Sequence, residues 1–318
     1  MTPPLIQIKN LKKYFSYKGQ TLRAVDDISF DIFPQETLGL VGESGCGKTA
    51  LARALMRLYE PTSGDILFKG ESILCYKGKA IKSLRHDMQY IFQDPYASLN
   101  PRMTAGEIIA EPLNIHNVLN PSDRQKRVQE LLELVGLRPE YVRRFPHEFS
   151  GGQRQRIGIA RALALNPRLI VCDEPIAALD VSIQAQIVNL LKYLQEEMGL
   201  TYLFISHDLA MVKYLSTRVA VMYLGHLMEL APSHDLYDKP LHPYTQGLLS
   251  AIPIPDPLIE KKRTCILLTG EVPSPINPPK GCVFCTRCPK AEKICFEKRP
   301  TLREISSGHQ VSCHLVTP

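Results

Sequence analysis

Residues 37–49 read Thr-Leu-Gly-Leu-Val-Gly-Glu-Ser-Gly-Cys-Gly-Lys-Thr, in which a short β-type apolar segment runs directly into a glycine-rich loop. Helix-favouring residues follow from Ala50 to Arg57, so the predicted order is strand, loop and helix. A phosphate-binding P-loop requires that order, together with glycines spaced before a lysine and a threonine. We therefore predict that this loop binds the phosphates of a nucleotide.

The glycines give the loop its predicted anion-binding geometry. Gly42, Gly45 and Gly47 let the backbone curl so that its N–H groups face inward. The helix that begins near Lys48 adds the positive end of its dipole, and the lysine can reach the β- and γ-phosphates. The Thr49 hydroxyl can ligate Mg²⁺. The predicted nucleotide-binding residues here are Gly42, Glu43, Ser44, Gly45, Cys46, Gly47, Lys48 and Thr49.

A pair of carboxylates follows a second apolar segment, residues 169–172, which predicts a buried strand. The first carboxylate, Asp173, is predicted to hold Mg²⁺, and the adjacent Glu174 to polarise an attacking water. A solvated acidic turn would explain either residue alone. It does not explain a pair placed directly after four apolar residues in a chain with a P-loop.

Between these two sites, a serine and two glycines precede a helix-favouring segment that runs from Ile157 to Leu165. Ser150, Gly151 and Gly152 therefore lie at the mouth of a predicted helix, where backbone amides and a hydroxyl converge on a place for an anion. The chain thus carries two predicted anion-binding helix mouths, about a hundred positions apart.

These motifs resemble the ATP-binding cassette (ABC) family, whose signature is the Ser-Gly-Gly-Gln sequence found here at Ser150, Gly151, Gly152 and Gln153. In that family the signature of one subunit meets the γ-phosphate held by the P-loop of another. The resemblance implies a dimer with two ATP molecules in its interface. The expected fold class is α/β, a RecA-like P-loop NTPase domain with a helical subdomain and a small Cys/Pro-rich C-terminal extension.

Further positions match the ABC family one by one. Gln93 matches the glutamine that touches Mg²⁺ or water, and Asp180 lies in the loop that crosses the dimer interface. His207 matches the histidine near the γ-phosphate. Phe15 matches the aromatic residue that stacks on adenine, with Tyr17 as the alternative. The resemblance therefore implies Lys48, Gln93, Glu174 and His207 as catalytic residues, and Thr49, Gln93 and Asp173 as Mg²⁺ ligands.

The pattern of elements predicts three parts. Strand segments alternate with helices over residues 1–93 and 168–232, which predicts the RecA-like ATP-binding subdomain. Residues 94–167 lack strong strand segments and predict a helical subdomain that carries the signature. Its clearest helix is expected to have Ser122 and Gln125 as a capping box and to end at Gly136. Proline and cysteine become frequent over residues 233–318, which predicts a separate C-terminal extension.

Residues 92–102 and 242–253 resemble the ATPase subunits of bacterial oligopeptide and dipeptide importers, and the first is closer to their second ATPase subunit. The resemblance implies ATP hydrolysis that powers peptide import through two transmembrane permease subunits, with an extracytoplasmic peptide-binding protein acting indirectly. A different ATPase subunit is the expected partner in a heterodimer, and a homodimer is the alternative. Nickel and glutathione importers share these segments, so both remain alternative machines.

Composition limits the other classes of function. No apolar segment approaches the roughly 20 residues that span a bilayer, and the N-terminus is not a signal peptide. The net charge is +6, and the lysines and arginines are scattered along the chain. No stripe of aromatic and basic residues indicates nucleic-acid binding. We expect a peripheral protein at the cytoplasmic face of the cell membrane. Soluble ABC ATPases that act on DNA or in translation form the alternative class.

Six of the nine cysteines lie in the extension, and a reducing cytosol disfavours a disulfide framework there. Cys282, Cys288, Cys295 and Cys313 match the cysteine pattern of the peptide-importer ATPases. That resemblance implies a four-iron, four-sulfur (4Fe-4S) iron–sulfur cluster held by four thiolates. Zinc would suit the same ligands, and an extension without metal is the third alternative. Cys285 is an additional thiol that leaves the ligand choice open.

Overall fold

The computed structural model describes residues 2–253 and 266–317, which form two compact units. The first unit contains Phe33–Glu36 and Cys75–Ser206, and the second contains Pro3–Ile32, Thr37–Leu74 and the described part of His207–Pro318. Within the described ranges, no helix combines the length and the apolar character needed to cross a lipid bilayer.

The amino-terminal part of the second unit holds β1 (Ile6–Tyr17), β2 (Gln20–Ile32), β3 (Thr37–Val41), β4 (Ser63–Phe68), β5 (Glu71–Ser72) and helix α1 (Lys48–Leu55). Four of these strands form an antiparallel sheet in the order β2-β1-β4-β5. All five residues of β3 are buried, as is usual for a parallel strand that is covered on both faces. The predicted strand before the glycine loop is therefore confirmed, and the loop starts at the end of a buried strand.

The first unit contains β6 (Met88–Ile91), β7 (Leu169–Asp173), β8 (Thr201–Ile205) and the helices α2 (Lys79–Asp87), α3 (Ala105–His116), α4 (Pro121–Leu134), α5 (Gly151–Leu163) and α6 (Val181–Met198). Short 3-10 helices lie at Pro139–Arg143 and Pro146–Glu148. The strands pair in parallel in the order β6-β7-β8. Parallel strands end at the same edge of a sheet, so the residues that follow β6 and β7 lie close together.

Helices α3, α4 and α5 pack on one another and bury aliphatic residues such as Ile109, Leu132 and Leu163. The predicted capping box of α4 is wrong. Asn120 is the N-cap, because its side chain accepts a hydrogen bond from the N–H of Asp123 at 2.9 Å. The Ser122 hydroxyl instead donates to Asn120 at 2.8 Å.

Two details of the α4 termini explain that result. Pro121 occupies the first turn, where its missing N–H costs nothing, so the cap falls one residue before it. Gly136, with a φ of 74°, follows the C-cap, as predicted.

The carboxyl-terminal part of the second unit holds β9 (Arg218–Tyr223), β10 (His226–Pro232), β11 (Arg303–Ser306), β12 (His309–Val311) and the helices α7 (Leu209–Leu215), α8 (Ser233–Asp238), α9 (Pro243–Ser250) and α10 (Lys293–Glu297). β3 pairs in parallel with β9, and β9, β10, β12 and β11 follow as antiparallel neighbours. The last strands of the extension thus join the sheet that contains β3.

A buried carboxylate ties the extension to β10. Glu229 has no exposed surface and accepts hydrogen bonds from the N–H groups of Leu241 and His242 at 2.8 and 2.9 Å. Nε2 of His309, on β12, lies 2.7 Å from the same carboxylate. Nδ1 of His242 accepts a hydrogen bond from the N–H of Tyr244 at 3.0 Å, which caps α9. This polar centre therefore joins β10 to the start of α9 and to β12, which lies 80 positions away in sequence.

The buried imidazole of His242 predicts a pH-dependent stability. Burial lowers its pKa to about 4, although Glu229 opposes the shift, whereas an unfolded histidine titrates near 6.5. Between these values the unfolded chain binds a proton that the folded chain excludes. The contribution of neutral His242 to the free energy of unfolding is therefore fully present above about pH 6.5. It is lost, by up to about 3 kcal/mol, as the pH falls towards 4.

His242→Asn keeps an acceptor for the Tyr244 N–H but removes the titration. Urea unfolding at several pH values between 4.5 and 7.5 should show a smaller loss of stability on acidification for the variant than for the wild type. The same pH dependence in both proteins would contradict the assignment.

Candidate nucleotide-binding site

The predicted P-loop curls between two backbone carbonyl groups of the second unit. Gly42 and Gly47 have φ angles of 150° and 108°, which residues with a side chain rarely adopt. A Cβ on Gly42 would lie 2.1 Å from the carbonyl oxygen of Met222, and one on Gly47 would lie 2.0 Å from that of Ala24. Helix α1 begins at Lys48, as predicted. Only glycine fits these two places, so the loop is held in its curled form by contact on both sides.

Lys48 is folded back over the loop. Its side chain is buried, and Nζ donates to the carbonyl oxygens of Gly42 and Glu43 at 2.8 and 3.1 Å. Carbonyl dipoles compensate a buried ammonium only in part, so the arrangement favours an anion at this point. Thr49 follows in the first turn of α1, half-buried. Burial raises the pKa of Cys46, so this loop thiol stays neutral.

Two residues of the C-terminal extension, outside the predicted motif, form hydrogen bonds with the loop. The hydroxyl of Tyr244 accepts a hydrogen bond from the N–H of Glu43 at 2.9 Å, and Arg287 forms a salt bridge with the Glu43 carboxylate. Sequence reasoning missed both residues, because 201 and 244 positions separate them from Glu43. The one available signal was the resemblance of residues 242–253 to importer ATPases, which includes Tyr244.

The predicted adenine-stacking residue Phe15 lies on β1 and is half-buried. Its ring meets Tyr59 edge-on at 5.3 Å, and the Tyr59 hydroxyl accepts a hydrogen bond from Arg53 of α1 at 2.8 Å. Phe15 is therefore linked to the helix that follows the P-loop. The alternative, Tyr17, is 51% exposed and lies over the side chain of Lys18.

His207 is exposed and also belongs to the second unit. It directly precedes Asp208, the N-cap of α7, whose carboxylate accepts hydrogen bonds from the N–H groups of Ala210 and Met211. That cap fixes the backbone next to the histidine. P-loop, Phe15 and His207 thus lie in one compact unit.

Three other predicted residues come together at the ends of β6 and β7 in the first unit. Gln93 donates from its amide to Oε2 of Glu174 at 2.8 Å. Tyr90 donates to Oδ2 of Asp173 at 2.5 Å, a contact that is buried.

Glu174 also has an unusual backbone. Its φ is 47°, a strained value for this residue type, and its N–H is held by the carbonyl of Ile205 at 2.9 Å. Such strain is typical of functional sites. The sequence predicted the two carboxylates and Gln93 but missed Tyr90, which has no motif of its own.

The signature residues form the mouth of α5, as predicted. Ser150 is the N-cap, and its hydroxyl accepts from the N–H of Gln153 at 3.3 Å, while Gln153 accepts from the N–H of Ser150 at 3.1 Å. The hydroxyl proton remains available for donation to an anion. A Cβ on Gly152 would lie 2.5 Å from Ile183 of α6, and one on Gly151 would lie 3.4 Å from Leu179. Gly152 thus permits close packing of α5 against α6.

Asp180 caps α6 in the same unit. Its carboxylate accepts from the N–H of Ile183 at 3.0 Å and from the hydroxyl of Ser182 at 2.7 Å. These hydrogen bonds lower its pKa, Ser182 most, so the group stays ionised.

The predicted metal cluster of the extension is not supported. Within residues 2–253 and 266–317, no group of three or more His, Cys, Asp or Glu side chains is placed to hold a metal ion. Burial raises the pKa of Cys282 to about 12 and also raises those of Cys288 and Cys313, so these thiols are neutral in the structure. The backbone N–H of Cys282 donates to the carbonyl of Cys295 at 2.7 Å. Cys265 lies outside the described residues.

Comparison with known proteins identifies two matching families. The ABC transporter family matches residues 25–177, and the oligopeptide/dipeptide transporter C-terminal region matches residues 228–295. A putative oligopeptide transport ATP-binding protein of Bacillus subtilis, YkfD, is 60% identical over 98% of this chain and 95% of its own length. The oligopeptide transport ATP-binding protein OppF of Escherichia coli is 56% identical over 98% of this chain and 93% of its own length.

Solved structures agree at the level of the cassette. A dimeric ATP-binding cassette in a post-hydrolysis state, bound to ADP and Pi, has a TM-score of 0.66 and 28% identity. The match covers 72% of this chain and 98% of that cassette. Both the relatives and this structure therefore support an ABC-type α/β fold.

The crowded glycines of the P-loop predict unequal effects of substitution. Gly47→Ala would drive a Cβ into the Ala24 carbonyl, whereas a Cβ on Gly45 meets nothing within 4 Å. Gly45→Ala should therefore cost only the left-handed backbone strain, about 1–2 kcal/mol. Gly47→Ala should cost at least about 2 kcal/mol more, measured as the free energy of unfolding. Equal costs would show that the close approach does not constrain the loop.

Proposed function

This chain belongs to the ABC transporter family of ATP-binding subunits, and on that basis we propose that it hydrolyses ATP to power an oligopeptide or dipeptide importer. The observation that carries the proposal is the agreement over the whole length, from the P-loop to the C-terminal region, with oligopeptide transport ATP-binding proteins. Nickel or glutathione import by the same kind of machine is the alternative. The names of these relatives favour peptides.

Nucleotide binding follows from the P-loop geometry. Backbone N–H groups of the loop and the N-terminus of α1 hold the phosphates, and Lys48 exchanges its carbonyl partners for phosphate oxygens. Mg²⁺, when bound, neutralises phosphate charge. We propose Thr49, Gln93 and Asp173 as its ligands, and Phe15 as the residue that stacks on adenine.

Hydrolysis needs a group that accepts a proton from water. We assign that role to Glu174, because its carboxylate comes directly after β7 and is oriented by the Gln93 amide at Oε2. The strained φ of 47° marks a constrained backbone at this residue. We assign His207 to hydrogen bonding with the γ-phosphate, a role that its exposed position allows.

A dimer would give the signature residues and Asp180 a role at the interface between two ATPase subunits. We propose that the hydroxyl proton of Ser150, the mouth of α5 and Gln153 face the γ-phosphate on a partner ATPase subunit. A heterodimer with a second ATPase subunit is the expected form, and a homodimer is the alternative. Asp180 would lie at this interface, ionised and capping α6.

The transport machine would include two transmembrane permease subunits and, indirectly, an extracytoplasmic peptide-binding protein. The chain would then sit at the cytoplasmic face of the cell membrane through these partners. We retain residues 94–167 as the proposed helical signature subdomain and residues 233–318 as the proposed importer extension. A soluble ABC ATPase outside transport is disfavoured, because the C-terminal match is to a transporter region.

Lys48→Ala should abolish most ATP binding and turnover, because the triphosphate loses its principal counter-charge in the loop. The control is Lys293→Ala, which removes a lysine with 90% side-chain exposure. Activity is measured in the transporter assembled with its co-expressed subunits. Near-normal ATPase activity of Lys48→Ala would refute the P-loop assignment.

Glu174→Gln should bind ATP with nearly unchanged affinity but hydrolyse it at least tenfold more slowly, since an amide does not accept the proton of the attacking water. Tenfold corresponds to about 1.4 kcal/mol in the barrier. Glu133→Gln, on the exposed face of α4, is the matched control. If turnover of Glu174→Gln stays within tenfold of wild type, another group is the base.

A further inference from the structure

A buried arginine of the extension grips the P-loop through a fork-shaped salt bridge. Nη1 of Arg287 donates to Oε2 of Glu43 at 2.7 Å, and Nη2 donates to Oε1 at 3.1 Å. Both guanidinium arms are thus engaged with both carboxylate oxygens. The Arg287 side chain is only 7% exposed and that of Glu43 is 25% exposed, so the pair is shielded from water far more than a surface ion pair. A two-pronged contact of this kind fixes orientation as well as distance.

Arg287 is itself held in place by the packing of the extension. Its N–H donates to the carbonyl of Phe284 at 3.0 Å. The ring of Phe284 is fully buried and meets those of Tyr223 and Tyr244, both at 5.3 Å. Nη1 also lies 3.4 Å from the Tyr223 hydroxyl. The guanidinium is therefore anchored to a rigid aromatic cluster.

Glu43 receives a second contact from the same cluster. Its backbone N–H donates to the hydroxyl of Tyr244 at 2.9 Å, while its carbonyl accepts a hydrogen bond from Nζ of Lys48 at 3.1 Å. One residue of the loop thus connects the extension to the lysine that meets the phosphates. Because side chain and amide are both held, Glu43 has little freedom to rotate.

We propose that Arg287 is a positioning residue, which holds Glu43 so that the P-loop is shaped for phosphate before nucleotide arrives. The C-terminal extension would in this way set the nucleotide affinity of the ATPase. The inference rests on the proposed function, since it concerns the same phosphate site. The Glu43 carboxylate neutralises Arg287, so the arginine acts through loop geometry and not as a phosphate ligand. A loop ordered in advance loses less conformational entropy on binding, which strengthens affinity.

The test is the dissociation constant of MgATP, measured by titration calorimetry on the full chain. Arg287→Ala should weaken binding about tenfold, and Arg287→Lys, which restores one donor, should recover part of the loss. Glu43→Gln should weaken binding similarly. The double variant should be no weaker than the weaker single variant, because the two side chains act as one unit. Fully additive losses, or an Arg287→Ala affinity within twofold of wild type, would overturn the proposal.

Arg303→Ala is the matched control. It removes an arginine of the same extension that donates to the carbonyls of Cys313 and Val316, and it should leave MgATP affinity unchanged. If Arg303→Ala weakens binding as much as Arg287→Ala, general damage to the extension explains the effect and the proposal is wrong. If Arg287→Ala fails to fold, Glu43→Gln and Arg287→Lys still decide the question. Failure of the wild-type chain to bind MgATP would instead refute the proposed function.

Discussion

The close approach of two backbone carbonyls to the P-loop is the constraint on which the site depends. The oxygens of Met222 and Ala24 lie where side chains on Gly42 and Gly47 would begin. Neither of these two glycines can therefore carry a side chain, and the loop stays curled at both positions. The loop is also fixed at both ends. Buried β3 leads into it, and α1 begins directly after it with the positive end of its dipole at the phosphate site.

The surroundings of the loop reinforce this geometry. Lys48 is buried and loop carbonyls compensate its charge only in part, so replacing them by phosphate oxygens is favourable. The extension meets the opposite side of the loop at Glu43. Its strands β11 and β12 join the sheet of the second unit, and Glu229 ties β10 to the start of α9 and to His309. The extension is thus part of the support for the nucleotide site.

Local patterns predicted the local structure well. β3, the start of α1, β7 before the carboxylate pair and the cap of α5 all follow from short-range propensity and chain order. The predicted N-cap of α4 was wrong by two residues, because Pro121 lies in the first turn and the N-cap is Asn120. Tyr90, Tyr244 and Arg287 were missed because tertiary packing alone brings them to their partners. The cysteine pattern suggested a metal, but within residues 2–253 and 266–317 no group of three or more ligand side chains is placed to hold one.

Phosphate binding by the curled loop is tested most directly by comparing the affinities of MgATP, MgADP and AMP for the wild-type chain under identical conditions. A P-loop surrounds the β-phosphate with backbone N–H groups and a lysine, so affinity must depend on that phosphate. We expect MgATP and MgADP to bind at least about tenfold more tightly than AMP, a difference of about 1.4 kcal/mol or more. If AMP binds as tightly as MgATP, the curled loop is not the site that holds the nucleotide.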